Sequence, residues 1–139
     1  WGHENREAAI RLIKGTVGNR NRAANIELKT IDHTANPYLA GAMLLASALD
    51  GLERGLKLPT PLQINPSSLS EAEREANQVY RLPTDLGQAI DLMVQADVVR
   101  QAMGDAQFEA FVATRRLEWD SYGQMDQAQL TDTLRWRYG

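Results

Sequence analysis

The segment NIELKTIDHTANPYL, residues 25–39, decides how the rest of the chain is read. Asn25 to Ile31 alternates with the period of an extended strand, placing Ile26, Leu28 and Thr30 on one side and Glu27, Lys29 and Ile31 on the other. A polar turn follows, and Asn36 with Pro37 then opens a helix. An asparagine side chain accepts from the free amides of a first helical turn, and proline at the first helical position forfeits no hydrogen bond. One acidic and one basic residue therefore share a strand face just upstream of a helix start.

Working outward, Arg6 to Ile13 (REAAIRLI) fits a strand buried mainly on one face, although a helix can also be written there. Lys14 to Ala24 holds two glycines and reads as a loop. Two neighbouring strands on one loop pair antiparallel, which predicts Arg6, Arg11, Glu27 and Lys29 converging on one face with helices packed on the other. The helix from Pro37 runs to Gly51 or Leu56. It is apolar on nearly every side, with a seam of Leu45, Leu49, Leu52 and Leu56, and is expected to be the most buried helix.

Beyond it, three prolines in Leu58 to Ser67 exclude helix and predict a surface-hugging extended segment. Ser70 with Glu73 forms a capping box for a short helix ending near Tyr80. Thr84 is expected to cap the next, whose Leu86, Ile90, Met93 and Val94 share a face. Asp97 to Met103 is a further turn or two, stopped by Gly104. Asp105 to Tyr122 is the longest amphipathic helix, burying Phe108, Phe111, Val112, the stem of Arg115 and Trp119, and Asp126 to Trp136 closes the chain. Trp119 and Trp136 read as core. The expected fold is α+β: a short antiparallel β pair followed by a mostly helical segment, in a single domain over residues 1–139.

Composition narrows the function classes. The chain has 139 residues, 43% of them apolar, which suffices for one domain with a core. A formal net charge of −3 offers no basic surface for nucleic acid or lipid. With no cysteine there are no disulfides, thiolate metal sites or cysteine nucleophiles, and a cytoplasmic location is the default. The longest apolar run, Tyr38 to Leu49, is about a dozen residues against the roughly 20 that span a bilayer. No secretory signal is expected within residues 1–139, and a start at tryptophan leads to the expectation that this is the back part of a longer polypeptide.

Glu27 and Lys29 support two readings. Structurally, they are a solvated strand face making a weak cross-strand pair. Chemically, Glu27 is a hard oxygen ligand for Mg²⁺ or Mn²⁺ and Lys29 a donor to an anion, with Arg6 and Arg11 supplying the cations that a metal–triphosphate needs. His3 and His33 are isolated and read as exposed turn residues, and Arg115–Arg116 as helix surface or an intersubunit contact.

Trp1-Gly2, Asn5-Arg6, Arg11, Glu27, Ala35-Asn36-Pro37-Tyr38-Leu39 and Leu49-Asp50-Gly51 together resemble the late catalytic segment of the glutamine synthetase family. The similarity continues through Leu82-Pro83 and Arg116-Leu117-Glu118-Trp119, so it covers essentially the whole length. The resemblance implies an ATP- and Mg²⁺- (or Mn²⁺-) dependent ligase joining glutamate to ammonia through an acyl phosphate, in a homo-oligomeric parent. By the same resemblance Arg6 and Lys29 are catalytic residues, with Arg6 touching the substrate end of the transferred phosphate. Arg11 binds ATP phosphates and Glu27 is a metal ligand. Upstream ligands are absent, so this portion is expected to be catalytically incomplete alone.

Two departures qualify the substrate. Lys29 stands where the family usually has arginine, keeping the charge but losing the planar two-pronged grip. Asn25 stands where a further nucleotide-contacting arginine often sits. The tyrosine some bacterial members carry for regulatory nucleotidylation is also missing, with Asn65-Pro66-Ser67-Ser68 in that neighbourhood. Two alternatives follow: a γ-glutamyl ligase for an amine larger than ammonia, or a non-catalytic scaffold of the same fold.

Overall fold

The computed structural model describes residues 1–137. It is α+β, with three short strands and seven α-helices among the described residues. The strands are β1 (Gly2–His3), β2 (Ile10–Ile13) and β3 (Asn25–Leu28), in spatial order β1-β2-β3. The helices are α1 (Arg20–Ala23), α2 (Pro37–Glu53), α3 (Glu71–Ala76), α4 (Leu86–Val94), α5 (Asp97–Met103), α6 (Asp105–Tyr122) and α7 (Gln127–Leu134). Two compact units result: Trp1–Gly41 with Gly51–Arg81, and Ala42–Asp50 with the chain from Leu82 onward.

In the first unit β2 and β3 pair antiparallel as expected, with Arg11 opposite Glu27 and Ile13 opposite Asn25. The strands are shorter than the pattern predicts. Arg6 to Ala9 lies in a turn instead of a strand, because the Asn5 side chain accepts from Glu7 N–H and the Ala8 amide donates to the Asn5 carbonyl. The chain becomes extended only at Ile10. The 14–24 loop contains the single turn α1, which alternation could not reveal, and β1 adds a parallel strand beside β2.

β1 is held by the proline-rich segment. Leu62 N–H donates to the Trp1 carbonyl, Trp1 Nε1 to Pro59 O at 2.8 Å, His3 N–H to Gln63 Oε1, and Asn5 Nδ2 to the carbonyls of Leu62 and Ile64. Packing here is close enough to demand glycine at position 2, where a Cβ would lie 2.4 Å from Leu62 O. His3 thus belongs to a strand and is half-buried against the Trp1 ring, not the exposed turn residue expected; His33 is in an exposed turn. A 3₁₀ turn, Pro66–Ser68, leads into α3, whose Ser70–Glu73 capping box is fully formed. Buried Ala8 and Leu69 mark the interior of this unit.

Asn36 Oδ1 accepts from the amides of Tyr38 and Leu39, opening α2 as its sequence predicts. Gly55, at φ 59°, ends it: Leu56 N–H returns to Gly51 O and Gly55 N–H to Leu52 O. The expected burial of α2 is not found. It has no buried residue, and Leu52 is 78% exposed, with Leu45, Leu49 and Leu56 also exposed. An apolar period identifies the side chains that favour burial without specifying what buries them, and none of the described elements covers this seam.

In the second unit α4, α5 and α6 enclose Phe108, 1% exposed, and Ile90. Arg100 lies over the Phe108 ring at 4.3 Å and pairs with Asp105 at 2.6 Å, fixing α5 to the start of α6 across Gly104. Asp91 and Arg116, 3.2 Å apart, join α4 to α6. The cap of α4 is Asp85, which accepts from Gln88 N–H; Thr84 instead exchanges two bonds with the Gln88 side-chain amide, its hydroxyl accepting and its N–H donating. Asp126 and Gln129 box the start of α7, while Trp136 beyond its end is exposed and not core.

Candidate functional site

The β2–β3 register sets the geometry of the site. Directly opposed residues of an antiparallel pair project on the same face, so Arg11 meets Glu27 without any long-range adjustment. Arg11 Nη1 donates to Glu27 Oε2 at 3.1 Å. Its second terminal nitrogen, Nη2, donates to Glu4 Oε2, also at 3.1 Å. The Arg11 side chain is only 14% exposed, against 43% for Glu27 and 50% for Glu4, so one guanidinium lies nearly covered beneath two half-open carboxylates.

The hydrogen bond to Glu27 is the main reason the Arg11 guanidinium is held protonated even more firmly than usual; its covering opposes this, and the charges of Glu27 and Glu4 reinforce it. Among the described residues Arg11 Nε is buried and without a hydrogen-bond partner. Two bonds of the five-donor fork are satisfied by carboxylates, and a third donor faces no acceptor.

Lys29 and Arg6 meet differently. Lys29 N–H donates to Ala9 O at 2.9 Å, extending the ladder one step past β3, and its ammonium donates to the backbone carbonyl of Arg6. The Arg6 guanidinium itself makes no ion pair with a described residue. The predicted cluster therefore resolves into two pairs. Arg11 and Glu27 contact through their side chains, whereas Lys29 braces the turn that carries Arg6.

Sequence reasoning missed Glu4. It follows β1 at φ 52°, its amide donates to Leu12 O, and its Oε1 accepts from Lys14 N–H at 2.9 Å. An acidic residue beside the Asn5-Arg6 pair was visible, but no local pattern announces a left-handed glutamate. Also missed was a concavity of about 410 Å³ lined by Gly18, Asn19, Arg20, Asn21 and Arg22. It belongs to the loop that leaves the hairpin at its Ile13/Asn25 end.

The donor set fits part of a metal–nucleotide. No described group of three or more histidines or acidic residues is placed to hold a metal ion. Glu27 offers one oxygen not engaged by Arg11, a single hard ligand, so the remaining ligands would come from outside the described residues. Arg6 and the arginines of α1 have the chemistry to meet phosphate oxygens, whereas Arg11 Nε is covered.

The hairpin with its cross-strand Arg–Glu pair, the Asn-Pro-opened apolar helix and the helical unit are assigned to a class of catalytic domain by comparison. Residues 1–133 match the family described as glutamine synthetase, catalytic domain, and the chain belongs to that family. It is 40% identical over 138 residues to a gamma-glutamylpolyamine synthetase of Streptomyces coelicolor, covering 99% of this chain and 30% of that protein. It is 38% identical over 122 residues to a glutamine synthetase of Methanosarcina mazei and 34% identical over 122 residues to one of Staphylococcus aureus. Each of these two alignments covers 88% of this chain and 26% of the relative. The chain thus spans under a third of the length of these relatives.

Proposed function

We propose that this chain forms one wall of an ATP-dependent ligase site that joins the γ-carboxylate of glutamate to an amine. The observation that carries the reading is the Arg11–Glu27 pair, which leaves one Glu27 oxygen unengaged by Arg11, flanked by the Arg6 turn that Lys29 braces. In the reaction a glutamate γ-carboxylate oxygen bonds to the terminal phosphorus of ATP while the bond to ADP breaks. The amine nitrogen then attacks the acyl carbon, phosphate departs with the bonding electrons, and the nitrogen loses a proton. Arg6 and Arg11 hold the negative charge that builds on the phosphoryl oxygens. Glu27 would serve as one ligand of a Mg²⁺ or Mn²⁺ ion, which when bound neutralises the nucleotide phosphates. Ligands from the rest of the parent complete that site, and residues 1–139 alone are expected to make no product.

A larger amine as acceptor is favoured over ammonia by two observations. Lys29 stands where the family resemblance leads to an expectation of arginine, and its point charge is engaged by a backbone carbonyl. The matched gamma-glutamylpolyamine synthetase aligns over 99% of the chain. The test is glutamate-dependent ADP formation by the intact protein, with ammonia and then with polyamines. Turnover with polyamines above that with ammonia supports the reading; ammonia alone as acceptor selects glutamine formation; no glutamate-dependent ADP with either selects the non-catalytic scaffold.

A further inference from the structure

We propose that Glu4 is a positioning residue that keeps one oxygen of Glu27 free by occupying the second prong of Arg11. An arginine facing a carboxylate closes into a two-pronged pair when nothing competes, because two parallel N–H···O bonds are stronger than one. Here the pair is single: Nη1 reaches Glu27 Oε2, and Nη2 is taken by Glu4 Oε2. Were Nη2 released, the guanidinium would rotate onto both Glu27 oxygens, and the carboxylate proposed to ligate metal would be fully engaged by its neighbour.

Glu4 is fixed for this role through its backbone. Its amide donates to Leu12 O at 3.0 Å, its Oε1 accepts from Lys14 N–H at 2.9 Å, and its φ of 52° lies in the left-handed region that side chains other than glycine and asparagine seldom adopt. Both contacts lie next to β2, one in it and one just past its end, so the carboxylate is carried by the strand that bears Arg11. A left-handed non-glycine residue held by two bonds is a conformation maintained by its surroundings, of the kind found where geometry serves a site.

The inference rests on the ligase reading, and the experiment separates the two. Glu4→Gly removes the carboxylate where glycine accepts the backbone without strain, so loss of fold does not obscure the result; Glu4→Gln retains an acceptor. Mn²⁺ binding to the intact protein is measured by loss of the free-ion electron paramagnetic resonance signal, with the Arg11 Nε–H resonance followed in metal-free protein. Glu4→Gly is expected to weaken Mn²⁺ about 10- to 100-fold, the range for residues that orient a metal ligand, and to shift the Arg11 resonance. Glu4→Gln, with one carbonyl oxygen for the two donors that Glu4 serves, should recover only part of the affinity, and the loss should vanish in an Arg11→Met background. Unchanged Mn²⁺ affinity in Glu4→Gly, or an equal loss without Arg11, overturns the role of Glu4. Wild-type protein that takes up no Mn²⁺ overturns the ligase reading, and the positioning role falls with it.

Discussion

Arg11 and Glu27 occupy opposed register positions of one antiparallel pair, and the 3.1 Å contact between them is the point where the hairpin and the proposed chemistry coincide. Glu27→Gln keeps an acceptor for Arg11 and should leave the hairpin intact. If Glu27 is a metal ligand, this change lowers Mn²⁺ affinity of the intact protein by more than about tenfold. If the pair is only a strand-face contact, metal affinity stays within twofold of wild type.

Gly87 lies against the Trp119 indole, where an added Cβ would fall 2.7 Å from Cε2. The flat ring cannot yield by that amount without leaving its place between α4 and Gly123. Gly87→Ala is therefore expected to destabilise the helical unit by roughly 1–3 kcal/mol, the cost of overpacking a close contact. Thermal unfolding should show a drop of several degrees, and an unchanged midpoint would mean that Trp119 packs elsewhere.

Acid stability reports on two local turns. The Glu73 carboxyl is held below its ordinary value first by the Ser70 hydroxyl and then by the Ser70 amide; Asp32 is held down by the Thr34 hydroxyl and amide. A depressed carboxyl contributes stability that is present above its unfolded value and lost as pH falls through the folded one. Unfolding midpoints in urea should therefore fall as the solution is acidified below the ordinary carboxylate range. Glu73→Gln should flatten that dependence, and an identical slope in variant and wild type would remove Glu73 from the account.

The Asn36-Pro37 helix start, the Ser70–Glu73 box and the Gly104 stop were legible because each depends on neighbours within a few residues, and the hairpin because two strand-forming segments flank one loop. That Arg11 and Glu27 share a face was expected from the sequence, whereas their direct opposition is a matter of register, which alternation and a single loop leave open. Three features were hidden for physical reasons. The turn at Arg6 depends on the Asn5 side chain capturing a backbone amide in competition with the strand. The left-handed Glu4 is imposed by contacts to Leu12 and Lys14 that no local propensity encodes. The exposure of the α2 leucines depends on which surfaces lie near them, and periodicity carries no information about that.

In the proposed ligase, Lys29 is expected to distinguish acceptors through its bond to the Arg6 carbonyl. Lys29→Ala releases the Arg6 turn and should raise the KM for glutamate in the intact protein with either amine. Lys29→Arg should retain ammonia-dependent turnover, because a guanidinium donates to the same carbonyl. With a larger amine its bulk should crowd the acceptor, and a displacement near an ångström costs about a hundredfold. Steady-state rates with both amines check this, and rates unaffected by either substitution would exclude Lys29 from the site.

The central claim, that a glutamate oxygen bonds to the phosphorus transferred from ATP, is tested most directly by isotope transfer in the intact protein. Glutamate labelled with ¹⁸O in its γ-carboxylate is turned over with ATP and an amine, and the released phosphate is analysed by mass spectrometry. The account predicts one labelled oxygen in phosphate for each amide formed, since phosphate departs with the oxygen that attacked. Amide formation with unlabelled phosphate would contradict it.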